Sequence, residues 1–211
     1  MSRRLKISPT KSALLQTKRQ LVFLQQGHDL LERKRELLTR LVYEHLAEYR
    51  RLRNETREKL AEAYHWLAIC QMRMGGRRLR QAATGLQPAL KVRILPRSNL
   101  GVEYPSVQVE TCPLKPVGLM WTDSSFDETR LKLQEAAVML ARLAESETSL
   151  WRLLKEQRKT QKRVNALKYN IIPRYQATVR FIQGSLEEDE RNTLFQIKQL
   201  HAQREDANHT V

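Results

Sequence analysis

Between Pro9 and Pro88 the chain contains no proline, and across that interval apolar residues return at alternating short and heptad-like steps: Leu14, Leu21, Leu24, Leu31, Leu38, Val42, Tyr49 and Leu52. Such spacing keeps one apolar seam on one face of a helix, the pattern of a coiled coil. His28, Arg35 and Thr56 fall on the same seam and make it imperfect. Ser8 is placed to cap the helix, with Pro9 at the first helical position, where a missing N–H costs nothing. Gly75 and Gly76 are expected to stop it. From about residue 10 to residue 74 such a helix would extend roughly 100 Å at 1.5 Å per residue.

A second seam passes through Leu133, Leu140, Leu143, Leu150, Leu154, Val164, Ile171, Tyr175 and Ile182 toward Leu200. Ser125 and Glu128, three apart, have the form of a capping box at its start. A lone seam of leucines on an otherwise polar helix is buried only when another helix lies along it. The simplest mate is the other half of the same chain. The fold expected is therefore mainly α: a long antiparallel two-helix coiled coil of the N- and C-terminal helices, with a small β-hairpin-containing insert at the turn. The expected boundaries are 1–74 for the first helix, 75–124 for the insert, 125–204 for the second helix and 205–211 for a polar tail. Within the insert, the alternating stretches 89–95 and 107–111 read as two strands, and 96–105 holds the turn-forming residues between them. Two strands are too few to stand alone and should lean on the base of the helical pair.

Charge supplies a register. Before Asp29 every charged side chain is basic, and near the other end lies the acidic run Glu187, Glu188, Asp189 and Glu190. Folding the chain back through the insert sets Lys18 and Arg19 beside that run, which selects orientation more than it adds stability. The same register brings Gly27 and His28 near Pro173, so that a small residue makes room for a bend.

Pro173 interrupts the second seam. It offers no N–H to the carbonyl of Tyr169 and its ring crowds that carbonyl, at a cost of about 3 kcal/mol in a helix interior. Burial of Ile171, Ile172 and Tyr175 against a partner helix, at roughly 1.5 to 3 kcal/mol each, is enough to carry the helix through, kinked. Ending at Ile172 and restarting at Pro173 is the alternative.

The formal charge of +15 points to acidic partners: nucleic acid, anionic lipid or an acidic protein surface. Basic density peaks at Arg33, Lys34 and Arg35, and at Arg158, Lys159, Lys162 and Arg163. A solvated helix face, a nucleic-acid surface and a belt meeting acidic protein loops all fit that density. No phosphate-binding glycine loop, HExxH or close Cys/His grouping is present, so no cofactor and no metal are expected. The acidic run lies on a solvated face with no burial to tune a carboxylate for catalysis. Cys70 and Cys112 stand far apart, the first residues hold no signal-like apolar segment, and runs such as 117–121 are far below the roughly 20 residues needed to cross a bilayer. A cytoplasmic setting is expected.

Two segments, SPTKSALLQTKRQLVFLQQGHDLLERKRELL at 8–38 and KRVNALKYNIIPRYQATVRFIQGSLEEDERNTLFQIKQL at 162–200, resemble the two ends of the D subunit of the V-type and archaeal-type rotary ATPases. The resemblance rests on Pro9-Thr10, Gly27-His28 with Leu30 and Leu31, and Lys34-Arg35. At the other end it rests on Arg163, Val164, Asn165, Ala166 and Leu167, then Ile172-Pro173-Arg174, Arg180 to Ile182, and Glu190-Arg191 leading to Phe195 and Lys198. The family usually carries an acidic residue where Lys168 stands. The resemblance implies a non-catalytic central-stalk rotor component that transmits rotation. Its helical tip enters the hexamer of catalytic A and B subunits; its lower part holds the F subunit and sits on a funnel-shaped subunit (C or d) above the membrane ring, on the cytoplasmic side. Nucleic acid binding and direct membrane insertion are not expected on that basis. A structural scaffold and a basic nucleic-acid-binding coiled coil are the other classes that such a chain would fit.

Overall fold

The computed structural model describes residues 4–117 and 122–209; the apolar run at 117–121 lies mostly outside them. The chain is mainly helical. In order it forms α1 (Lys11–Met74), α2 (Gly76–Thr84), β1 (Leu90–Asn99), β2 (Val102–Thr111), α3 (Ser124–Ala166), a single π-helical turn (Leu167–Ile171) and α4 (Ile172–His209). It divides into two compact units, Met1–Arg35 with Lys159–Val211, and Glu36–Arg158.

In the first unit the helices are antiparallel: Lys11 Nζ lies 2.9 Å from Glu190 Oε1, and Arg35 Nη1 donates to Gln161 Oε1 at 3.3 Å. The cap of α1 is Thr10, whose Oγ1 accepts from the Ala13 N–H at 3.1 Å, two residues beyond the expected Ser8. Ahead of it the chain runs back along α4. Leu5 N–H donates to Thr178 Oγ1 and Arg4 Cζ sits 4.0 Å from the Phe181 ring centroid, while Leu5 and Ile7 turn inward between exposed neighbours. Sequence patterning missed this strap because two apolar residues are too short a run to register as an element.

The seam of this unit buries Thr17, Thr160, Val164, Thr178, Val179 and Ile182. Buried threonines are tolerated where the hydroxyl back-bonds to the preceding turn, as Thr17 does to Ala13 O and Thr178 to Arg174 O.

In the second unit α1 and α3 are again antiparallel, tied by Lys59–Glu135 at 3.1 Å, Lys132–Glu62 at 2.9 Å and Arg73–Asp123 at 3.2 Å. Here the expected seam is partly overturned. Leu133 and Leu140 are exposed, and Ala63, Cys70, Ala136, Ser146 and Ser149 are buried instead. Small residues thus share the contact with the buried Leu38, Leu150 and Leu153. Thr56, an imperfection in the heptad count, is buried with its hydroxyl bonded to Leu52 O. The start of α3 is set by Asp123, to which Ser125 Oγ donates at 2.8 Å, rather than by a Ser125–Glu128 box. Gly75, at φ 76°, ends α1, and a short α2 that the loop-like composition of the insert concealed follows it.

The strands are longer than expected. They pair from Leu90↔Thr111 to Asn99↔Val102 around a two-residue turn in which Leu100 (φ 52°) and Gly101 (φ 75°) are both left-handed. With that turn, Asn99↔Val102 is a hydrogen-bonded pair, so Pro96↔Pro105, three pairs on, is a non-hydrogen-bonded one. Neither proline removes a ladder bond, and both edges are blunted against further strand pairing. The hairpin lies along the helices rather than only at their base. Gln134 Nε2 donates to Ala89 O and Cys112 O at its open end, and Val102 beside the turn packs with Leu38, Val42 and Leu153.

Candidate functional site: the proline turn and the charged helix faces

The helix does not end at Pro173. It widens just before it, with the Ile172 N–H reaching back five residues to Leu167 O. A π turn holds one residue more than an α turn, so the carbonyls preceding Pro173 are carried clear of its ring. The buried residues on either side, Val164 before and Thr178, Val179 and Ile182 after, all stay on the seam. Ile171, Ile172, Pro173, Arg174 and Tyr175 are half-buried, whereas Lys168, Tyr169 and Asn170 are exposed, so the widened turn bulges into solvent. Lys168 Nζ lies 5.6 Å from the Tyr169 ring centroid on that bulge.

Gly27 does not make room for a bend. A Cβ built on it meets nothing within 4 Å. One turn on, a polar layer crosses the seam: Arg35 Nη2 meets Glu32 Oε1 at 2.6 Å and its Nη1 donates to Gln161 Oε1, whose Nε2 donates to Asn165 Oδ1 at 2.8 Å. His28 Nδ1 lies 3.2 Å from Asp29 Oδ1, while His28 Nε2 and Glu32 Oε2 are buried without a described hydrogen-bond partner. A polar layer of this kind favours one register of the two helices over its neighbours.

The basic residues divide by orientation. Arg33, Arg158, Lys159, Lys162 and Arg163 are exposed; Lys34 and Arg35 are half-buried, and Arg35 is committed to the polar layer. At the far end, the acidic run Glu187, Glu188, Asp189 and Glu190 is exposed as expected, but its described partner is Lys11, about two turns before Lys18 and Arg19. Apolar side chains are exposed nearby, among them Leu194, Phe195 and Ile197.

Resolved carboxylate shifts lie elsewhere and are structural. The Lys132 ammonium bonded to Glu62 holds the Glu62 carboxyl below the usual range, with Lys59 adding to it, and Glu62 in turn raises Lys132. Asp123 is lowered by the Ser125 hydroxyl first and by Arg73 second. Among the described residues no group of His, Cys, Asp and Glu is placed to hold a metal, and no helix is long and apolar enough to cross a membrane.

The family model for the ATP synthase D subunit matches residues 13–202, which takes in nearly all of α1, α2, the hairpin, α3, the π turn and most of α4. The chain belongs to the ATP synthase D-subunit family. Similar relatives include the A-type ATP synthase D subunit of Pyrococcus furiosus, 36% identical over 202 residues, or 94% of each chain. That of Pyrococcus horikoshii is 37% identical with the same coverage. The V-type ATP synthase D subunit of Thermotoga neapolitana is 35% identical over 92% of this chain and 96% of its own. The π turn at Pro173 and the polar layer beside it set the helices here apart from a plain apolar pair.

Proposed function

We propose that the chain is the non-catalytic central-stalk shaft of a rotary ATPase, transmitting rotation between ATP hydrolysis or synthesis in a catalytic head and ion translocation in a membrane ring. The observation that carries the reading is the antiparallel pairing of helices, its register tied by cross-helix contacts in each unit: Lys11–Glu190 and Arg35–Gln161 in one, Lys59–Glu135 and Arg73–Asp123 in the other. Twisting such a pair disturbs packed side chains all along it, so torque is carried where a single helix would bend. Membership of the ATP synthase D-subunit family supports the same reading.

On this reading the tip, with Leu194, Phe195 and the acidic run, enters the hexamer of A and B subunits, and the belt of Arg158, Lys159, Lys162 and Arg163 meets acidic loops at its mouth. The F subunit and a funnel-shaped subunit hold the lower part, on the cytoplasmic side of the membrane. The turn at Pro173 makes the shaft asymmetric. A featureless rod could bias no catalytic interface over another, because a shift in equilibrium requires differential contact energy. The test is a photoreactive benzoylphenylalanine in place of Phe195, which is 64% exposed, in the assembled complex. Irradiation is expected to join it to a catalytic subunit and to remove ATP turnover in proportion to the yield. Full turnover in a fully joined complex would exclude a rotating shaft.

A further inference from the structure

Trp151 follows the buried Leu150 on α3 and is itself 67% exposed. An indole left in water forgoes the gain of burying one of the largest apolar side chains, and tryptophan is enriched among the anchors of protein interfaces. It borders a shallow cleft of about 390 Å³ lined by Glu147, Thr148, Trp151, Arg152 and Lys155.

Two features define what fits there. The indole's cationic neighbours are in place: Lys155 Nζ lies 5.9 Å from its ring centroid, and Arg152 Nη1 donates to the carbonyl of Glu103 on β2 at 3.0 Å, which holds the guanidinium beside the cleft. The charge is also unbalanced. Arg152, Lys155 and Arg158 stand within two turns of one another, and no ion pair is described for any of them among the described residues. A preordered guanidinium and two ammonium or guanidinium groups around an exposed indole are complementary to carboxylates flanking an apolar contact.

We infer that this patch docks an acidic segment of another protein, with Trp151 as the buried anchor and Arg152, Lys155 and Arg158 meeting its carboxylates. Nucleic acid fits less well: single-stranded binding uses successive aromatic platforms along a basic groove, whereas a single indole lines this cleft. The inference rests on the shaft reading only in taking its partner from the same assembly.

The test places benzoylphenylalanine at position 151 of the full chain in the assembled ATP synthase and identifies photoadducts by mass spectrometry. A carbodiimide, which joins lysines to carboxylates, is applied in parallel to the unsubstituted complex. Adducts to another polypeptide of the assembly, at a segment bearing Asp or Glu, are expected, with Lys155 joined to that same segment. Lys155→Glu with Arg158→Glu is expected to lower the photoadduct yield about tenfold. These positions are exposed, so unchanged helical circular dichroism is the control for folding. The inference is overturned if position 151 gives no intermolecular adduct, or one to a segment without acidic residues. It is equally overturned if the full chain retains a random single-stranded oligonucleotide that the double charge reversal releases. Failure of the shaft reading would appear separately, as ATP turnover surviving the Phe195 crosslink.

Discussion

If the π turn exists to accommodate Pro173, removing one residue from it has a calculable consequence. Asn170 is exposed in the turn. Deleting it takes out the one surplus residue, so Leu167 to Ile172 can close as an ordinary α turn with Val164 on one side and Val179 and Ile182 on the other still facing the seam. What is lost is the clearance around the pyrrolidine ring, about 3 kcal/mol. Adding Pro173→Ala to the deletion restores an N–H and is expected to recover most of that loss. Pro173→Ala alone is expected to keep the π turn. Closing it without a deletion would rotate all that follows by about 100°, carry Val179 and Ile182 off the seam, and cost roughly 3 to 6 kcal/mol at 1.5 to 3 per side chain. Urea unfolding of the full chain followed by circular dichroism measures all three variants. A neutral deletion would show that the proline is not what the wide turn relieves. A deletion whose cost the alanine does not recover would show that the register on the two sides is not held by the seam.

Three further outcomes follow from the same structure. Gly27→Ala is expected to stabilise the chain by about 1 kcal/mol, since a helix-interior glycine faces open space there; destabilisation in the same unfolding assay would show that close approach is needed after all. Glu62, whose folded pKa is lowered chiefly by Lys132, contributes stability that is present above its unfolded pKa and is lost as pH falls through the lower folded value. Lys132, raised by Glu62, contributes stability that is lost only as pH rises through a folded value above that of ordinary lysine. The Glu62→Gln variant is therefore expected to differ from the parent near neutral pH and to converge with it in acid, measured as unfolding midpoint against pH. Charge reversal at Arg158, Lys159, Lys162 and Arg163 is expected to weaken retention in the complex most at low salt, with the difference from the parent shrinking as salt screens the contacts, read by salt washing of the purified assembly; indifference would make these residues a solvated face.

The two long helices were legible because proline is absent between Pro9 and Pro88 and because heptad spacing needs no tertiary information. The hairpin showed in its alternation, but its turn did not. Leucine is an unusual occupant of a left-handed position, and the prolines at 96 and 105 suggested loop until the register placed them opposite each other. The seam of α3 was misjudged in part because leucine counting passes over small residues such as Ala136, Ser146 and Ser149, which are buried there beside Leu150 and Leu153. At Pro173 the composition showed that something must give way. Whether a helix answers with a break, a bend or a wider turn depends on the register demanded by packing on both sides, which no local stretch contains. The polar layer of Glu32, Arg35, Gln161 and Asn165 was hidden likewise, since Arg35 was legible as an imperfection of the seam and a cation in a basic run but its partners across the helix pair were not.

The shaft itself is tested most directly by watching it turn. With Cys70 and Cys112 replaced by alanine and serine, Arg97→Cys on the exposed strand β1 accepts a biotinylated bead in a complex fixed to glass by its catalytic head. On addition of ATP the account predicts stepwise rotation of the bead in one direction, stopped when ATP is withdrawn. A bead that stays still while the same complexes hydrolyse ATP would contradict it.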